Sequence, residues 1–120
     1  MTCFSFGVYS QKDLKLKKKY LGNYKGTIPS YQLDASPSII DVSESSIYIT
    51  ITADDIEITI GNRALKGVYE VLFEADSYYL LDATMENQLA TERIMVYKRG
   101  KHLSRDGMFP QPVVELNKFR

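Results

Sequence analysis

The chain has 120 residues, of which 44% are hydrophobic and 25% charged, and its fifteen basic and fifteen acidic side chains give a formal net charge of zero. These values are typical of one soluble globular domain, and they exclude a disordered chain and a globally basic nucleic-acid binder. One cysteine (Cys3) and one histidine (His102) exclude a disulfide framework and a cysteine- or histidine-rich metal site. We therefore expect no metal and no other cofactor.

The N-terminal segment, residues 1–19, is predicted to form an arm or a short helix ahead of a single domain over residues 20–120. Ser10 and Asp13 have the spacing of a capping box, whereas Leu14 and Leu16 also fit the period of a strand. The segment has no basic n-region, so it does not resemble a secretory signal. No apolar run approaches the roughly 18 residues of a transmembrane helix. We expect a cytoplasmic protein without a transmembrane segment.

From Tyr20 onwards the pattern is that of short strands. In Ser46–Ala53 and Asp55–Ile60, isoleucine occupies every second position, which is the period of a strand. Turn residues such as Gly61-Asn62 and Arg99-Gly100 separate the segments. The other predicted strands are Tyr20–Ile28, Ser38–Val42, Leu65–Glu74, Tyr78–Thr84, Gln88–Lys98, Lys101–Arg105 and Val113–Phe119.

Eight or nine consecutive short strands, with no long amphipathic helix between them, predict an up-and-down antiparallel sheet. A sheet of this length must close or fold into a sandwich to protect its edges. We predict a mainly β protein, an up-and-down antiparallel β-barrel. Closure would join the first and last strands, which lie in segments of net charge +5 (residues 1–28 and 93–120), whereas residues 29–92 carry −10. The sequence therefore predicts a basic seam.

The stretch Tyr20–Gly26 places Gly-x-aromatic, Gly22-Asn23-Tyr24, at the start of the first strand. This resembles the Gly-x-Trp opening of the lipocalin and fatty-acid-binding (calycin) barrels, with tyrosine in place of tryptophan. The resemblance implies a barrel whose closed end is plugged by Tyr24 beside a basic residue from a late strand, for which Arg93, Arg99 and Lys118 are the candidates. The Arg-x-Tyr pair with which intracellular fatty-acid-binding proteins hold a carboxylate is absent from Val113–Phe119.

A barrel of eight strands is just wide enough to be filled by its own side chains or to hold one small ligand, and the sequence leaves both open. We expect the isoleucine face to point inward, because an inward Glu57 without a partner would cost several kcal/mol. The opposite arrangement would turn Tyr48, Glu57, Arg93 and Tyr97 into a polar-tipped cavity. Met108 and Phe109 are predicted to cover the barrel opening or to tuck into the core. The predicted ligand-binding residues are Tyr24, Ile49, Ile51, Ile58, Arg93, Tyr97, Met108 and Phe109.

The function that this pattern favours is non-catalytic binding of a small hydrophobic or amphipathic ligand inside the barrel. The alternative is a filled barrel whose basic seam docks an acidic protein, a membrane surface or nucleic acid, of which nucleic acid is the least expected. An enzyme is not expected, because the sequence places no orienting carboxylate and no nucleophile beside His102. Homodimer formation stays open.

Overall fold

The computed structural model describes residues 14–106 and 111–119 of the chain. A 3-10 turn (Lys18–Tyr20) precedes the strands. The strands are β1 (Gly22–Ile28), β2 (Tyr31–Ala35), β3 (Ser38–Val42), β4 (Ser45–Ile51), β5 (Asp55–Ile60), β6 (Arg63–Glu74), β7 (Tyr78–Met85), β8 (Glu92–Tyr97), β9 (His102–Asp106) and β10 (Val114–Phe119). Cys3, the Ser10–Asp13 spacing, Met108 and Phe109 lie outside the described residues.

Eight of these strands form a closed antiparallel barrel in the order β1-β10-β9-β8-β7-β6-β5-β4, which confirms the predicted up-and-down fold. β1 closes the barrel because it pairs with β10 on one side and with β4 on the other. Tyr24 lies opposite Lys118 in the first pairing and opposite Ile49 in the second. The first and last strands are therefore neighbours, as the sequence predicts for a closed sheet.

The isoleucine face of β4 and β5 points into the barrel, as predicted. Ile47, Ile49, Ile51, Ile56 and Ile58 are each no more than 1% exposed. Alternation of the strand turns Tyr48 outward, where it is 41% exposed. Because the inward side chains have almost no surface that water can reach, they fill the interior rather than line a cavity.

A second, two-stranded sheet formed by β2 and β3 stands apart from the barrel ladder. The sequence pattern predicts β3 but not β2, which has only five alternating residues and lies between Pro29 and Pro37. Ile39 and Ile40 are 66% and 48% exposed. The hairpin is therefore an insertion between β1 and β4, and it leaves apolar side chains in solvent.

β8 is shorter than the predicted strand Gln88–Lys98, since it spans Glu92–Tyr97. Asn87 has a positive φ of 63°, which ends the extended backbone after β7. Leu89, an apolar residue in the predicted strand, is fully exposed. Residues 86–91 therefore form a connection, and β7 and β8 pair only beyond it.

The barrel has two different ends. The closed end carries the connections 52–54, 75–77 and 98–101, and the 3-10 turn lies across it with Leu16 and Tyr20 buried in the core. The other end, called the mouth below, carries the β5–β6 turn, the connection 86–91, the link from β9 to β10 and the β2–β3 hairpin.

Candidate ligand-binding site

The mouth of the barrel holds a buried ion pair. Glu92 begins β8 in phase with the inward residues Ile94 and Val96, and Arg105 follows the inward Leu103 on β9. The Arg105 Nε donates to Glu92 Oε1 at 2.6 Å, and Nη2 donates to Oε2 at 3.1 Å. Glu92 is 6% exposed and Arg105 is 4% exposed. The two side chains thus form a two-pronged, water-shielded pair.

A third hydrogen bond ties this pair to the link between β9 and β10. The Arg105 Nη1 donates to Gln111 Oε1 at 2.5 Å. A guanidinium carries five N–H groups, and these three contacts use three of them. Two N–H groups of Arg105 have no acceptor among the residues that the structure describes.

A pocket of about 310 Å³ lies beside the ion pair. Ile60 and Leu65 supply its apolar wall, while Glu92, Arg105 and Gln111 supply the polar one. Arg63 and Gln88 complete the lining. Arg63 is exposed and makes no hydrogen bond or ion pair with any residue that the structure describes. The pocket therefore combines an apolar wall with one unpartnered positive charge.

Four of the predicted ligand-binding residues, Tyr24, Ile49, Ile51 and Ile58, lie together in the packed interior and not in this pocket. The Tyr24 hydroxyl donates to the backbone oxygen of Tyr20 at 2.7 Å, which ties β1 to the 3-10 turn. Burial, with a smaller contribution from Tyr20, raises the pKa of Tyr24 to about 12. Tyr24 thus acts as part of the plug at the closed end.

Arg93 and Tyr97 lie on the outer wall of the barrel, because they alternate with the inward residues of β8. The Arg93 Nε is 3.3 Å from Asp82 Oδ1, and the two side chains are 58% and 21% exposed. The Tyr97 ring stacks on His102, with ring centroids 4.5 Å apart. Neither side chain reaches the interior, so they do not join the four interior residues in one site.

His102 also lies on the outer wall, away from the mouth. Its Nε2 is 3.1 Å from Glu115 Oε2, so the structure supplies a carboxylate partner that the sequence analysis did not identify. Tyr97 covers one face of the imidazole ring, and the Tyr97 hydroxyl is 3.4 Å from Ser104 Oγ. No hydrogen bond joins His102 to Ser104 among the described contacts, and this cluster therefore lacks the nucleophile–base contact of acyl transfer.

Lys118 is the late-strand basic residue beside the Gly-x-aromatic stretch. Its Nζ donates to the backbone oxygen of Lys19 at 2.6 Å, across the closed end. A Cβ added at Gly22, whose φ is +138°, would lie 2.9 Å from the Lys118 Cε. The other two candidates for the basic residue beside Tyr24 lie elsewhere, since Arg93 is on the outer wall and Arg99 is in the β8–β9 connection. Gly22 thus provides room for the Lys118 stem.

A larger depression of about 590 Å³ crosses the outer wall of β4–β7, with Glu57, Lys66 and Glu86 in its lining. It has no buried charge, and its lining side chains belong mostly to the solvent-facing side of the sheet. The mouth pocket is the better candidate site because two of its charged side chains, Glu92 and Arg105, are shielded from water and hold each other in place.

The sequence pattern does not predict Arg63, Glu92, Arg105 or Gln111 as ligand-binding residues. A signal was present at one of them, since Glu92 occupies the inward phase set by Ile94 and Val96. A charge at an apolar phase implies a buried partner. The sequence does not name that partner, because the pairing of β8 with β9 decides it.

Among the described residues, no group of three or more His, Cys, Asp or Glu side chains is arranged to hold a metal ion. The described part of the chain also contains no helix with the length and apolar character needed to cross a membrane. Comparison with known proteins gives no match, whether with protein-family profiles, curated protein sequences or solved structures.

Proposed function

We propose that this chain binds a small amphipathic molecule at the mouth pocket without changing it chemically. The Arg105–Glu92 pair is the observation that carries the proposal. Removing two charges from water costs several kcal/mol per ion, and apolar side chains of similar volume serve stability at least as well. A shielded pair at the rim of an apolar barrel is the kind of polar anchor that orients a ligand in a concave site.

The resemblance to calycin barrels supports this proposal. The Gly22-Asn23-Tyr24 opening follows a 3-10 turn, and Lys118 from the last strand bonds to that turn. On this basis we interpret the chain as a diverged relative of those ligand-binding barrels. The sequence predicts a ligand inside the barrel, whereas we propose one at the mouth pocket. An interior ligand would have to displace side chains such as Ile49 and Ile58, which are 0% exposed. Cytoplasmic location and the absence of catalysis remain predictions.

The test is a titration with a small environment-sensitive fluorescent amphiphile at low and high salt. We expect saturation near one probe per chain, binding that persists at high salt, and displacement by unlabelled amphiphile. Leu65→Trp, which fills the pocket, should abolish the signal. The matched control is Val68→Trp, since Val68 lies on the same strand but is 55% exposed on the outer wall. No saturable signal, or equal binding by Leu65→Trp, would contradict the proposal.

A second candidate function is docking of a filled barrel to an anionic partner, and the packed interior favours it. Six exposed cationic residues around the closed end make no ion pair with a described residue: Lys15, Lys17, Lys18, Lys19, Arg99 and Lys101. Lys118 connects their segments, since its Nζ donates to Lys19 O and its backbone N–H donates to Lys101 O at 2.8 Å. These basic residues therefore gather at the closed end, where β1 begins and β10 ends.

Docking through this end should weaken steeply as salt rises, because screening removes the attraction between charges. Suitable probes are phosphatidylserine vesicles, polyglutamate and a single-stranded oligonucleotide. The double variant Lys18→Glu/Lys101→Glu should lose binding, whereas Lys66→Glu on the opposite side of the barrel should retain it. Binding that is absent, or equal in both variants, would remove this candidate.

A further inference from the structure

We infer that the mouth pocket selects a small organic carboxylate, an inference that rests on the proposed binding function of this pocket. The polar lining is rich in donors. Arg63 has five N–H groups without a described partner, and Arg105 has two that remain after its three hydrogen bonds. Gln88 and Gln111 add amide groups. A ligand that satisfies these donors must carry acceptors.

The net charge of the pocket also favours a carboxylate. Within the described part of the lining, Glu92 is the one acidic residue, and both its oxygens accept from Arg105. These two charges therefore cancel within the wall. Arg63 then leaves the pocket with a net charge of +1. An incoming amine would meet this unpaired cation, whereas a carboxylate would neutralise it.

The geometry of the donors favours a carboxylate over a spherical anion. A guanidinium presents its N–H groups in a planar fork that matches the two oxygens of a carboxylate. Ile60 and Leu65 lie on the apolar side of the same pocket and would contact the body of the ligand. The arrangement thus fits a molecule with a carboxylate at one end and a hydrocarbon body.

The size of the pocket limits that body. A volume of about 310 Å³ holds on the order of ten water-sized groups at about 30 Å³ each. Below the pocket the barrel is filled, since Ile47, Ile58 and Leu103 are 0% exposed. A long acyl chain therefore has no room to continue inward. The inferred ligand is a short aliphatic or single-ring acid rather than a long-chain fatty acid.

The experiment titrates the full chain with hexanoate, benzoate, hexylamine, hexanol, hexyl phosphate and palmitate. Binding is monitored through the chemical shifts of the backbone amides. We expect hexanoate and benzoate to bind, hexylamine not to bind, and palmitate to bind no more tightly than hexanoate. Arg63→Gln should weaken hexanoate at least about tenfold, the loss expected for one charge-assisted contact. Lys66→Gln is the matched control, because Lys66 lies on the same strand and lines the outer depression instead.

The outcomes separate this inference from the proposed function. Binding of hexanol or hexylamine as tightly as hexanoate would overturn the carboxylate inference and leave the function standing. Preference for hexyl phosphate would overturn the carboxylate inference and show that the pocket selects a phosphate ester. Tight one-to-one binding of palmitate would overturn the size limit. If no probe shifts the pocket resonances, both the function and the inference fail.

Discussion

Buried polar side chains interrupt the apolar interior at its two ends. At the mouth, Glu92 and Arg105 satisfy each other, and at the closed end the Tyr24 hydroxyl bonds to the Tyr20 carbonyl. Each group is costly to bury alone, so its partner decides whether the barrel tolerates it. At the residue scale, therefore, stability depends on pairs, and removal of one member should cost more than removal of an exposed equivalent.

Glu92→Gln should lower the free energy of unfolding by about 3–5 kcal/mol, because it leaves the Arg105 charge buried without a counter-charge. Urea denaturation followed by circular dichroism measures this loss. Asp82→Asn is the control, since its partner Arg93 has a side chain that is 58% exposed. It should cost no more than about 1 kcal/mol. Equal losses in the two variants would show that the mouth pair is not shielded from water.

Tyr24 should make stability fall in alkaline solution. Its folded-state pKa is about 12, above the ordinary value of 10.0. The stabilising contribution is complete below pH 10, and it is lost as pH rises towards 12, because the unfolded phenol ionises first. Tyr24→Phe should therefore show a shallower decline of unfolding free energy between pH 10 and 12. A slope identical to that of the original chain would mean that this hydroxyl ionises alike in both states.

At the scale of elements, the strands differ in how firmly their neighbours hold them. β6 and β7 approach each other closely at Gly67, which lies opposite Met85. β2 and β3, in contrast, pair only with each other. The contrast follows from the topology, since barrel strands have two paired edges and the hairpin strands have one.

Gly67→Ala should destabilise the barrel by about 1–3 kcal/mol, since overpacking forces a backbone shift. An added Cβ would overlap the Thr84 carbonyl oxygen and lie 2.8 Å from the Met85 Cα, and backbone atoms cannot rotate away. Gly61→Asn is the control, because nothing lies within 4 Å there and asparagine tolerates the φ of +62°. Thermal unfolding of both variants measures the difference. A Gly67→Ala variant as stable as Gly61→Asn would show that the two strands can separate without loss.

The β2–β3 hairpin should be the first part of the described chain to open. An isolated two-stranded hairpin is marginally stable in water, and this one leaves Ile39 and Ile40 exposed. Hydrogen exchange followed by NMR should show protection of the β2–β3 amides that is orders of magnitude lower than that of β4 and β5. Similar protection in the two sheets would mean that the hairpin opens only when the barrel does.

At the scale of the whole molecule, a filled interior and an uneven charge distribution define what the barrel can do. The inward side chains leave water no access at the middle of the barrel, so binding belongs to its ends. The mouth offers a shielded ion pair beside an apolar wall, and the closed end offers exposed cations. Both proposed functions follow from this division.

Ile58→Ala tests the filled interior directly. Ile58 is 0% exposed, and its truncation should cost about 2–5 kcal/mol and leave a dry void. Xenon or benzene should then bind inside the variant but not inside the original chain, as monitored by methyl chemical shifts. Thr59→Ala, on the other face of the same strand, should change stability by no more than about 0.5 kcal/mol. Binding of xenon by the original chain would reveal an interior cavity.

Alternation along the chain predicts most of the strands and their inward faces, and the number of strands favours closure of the sheet. Ile47, Ile49 and Ile51 alternate with polar residues, and this local pattern decides which face is buried whatever the neighbouring strands are. The prediction from this pattern is wrong at two strands, each time for a local reason. β2 is too short and too close to prolines to stand out, and Leu89 continues an apolar pattern into a connection that Asn87 has already turned.

The position of the candidate site depends instead on how the strands pair. Glu92 and Arg105 are thirteen positions apart, and they meet because β8 and β9 pair in one register with both charges inward. Gln111 and Arg63 come from other elements of the same end. The sequence pattern predicts binding in the interior, because it identifies inward residues but not the space between them. Whether that space is filled depends on how side chains from all eight strands pack together, which no single segment of sequence contains.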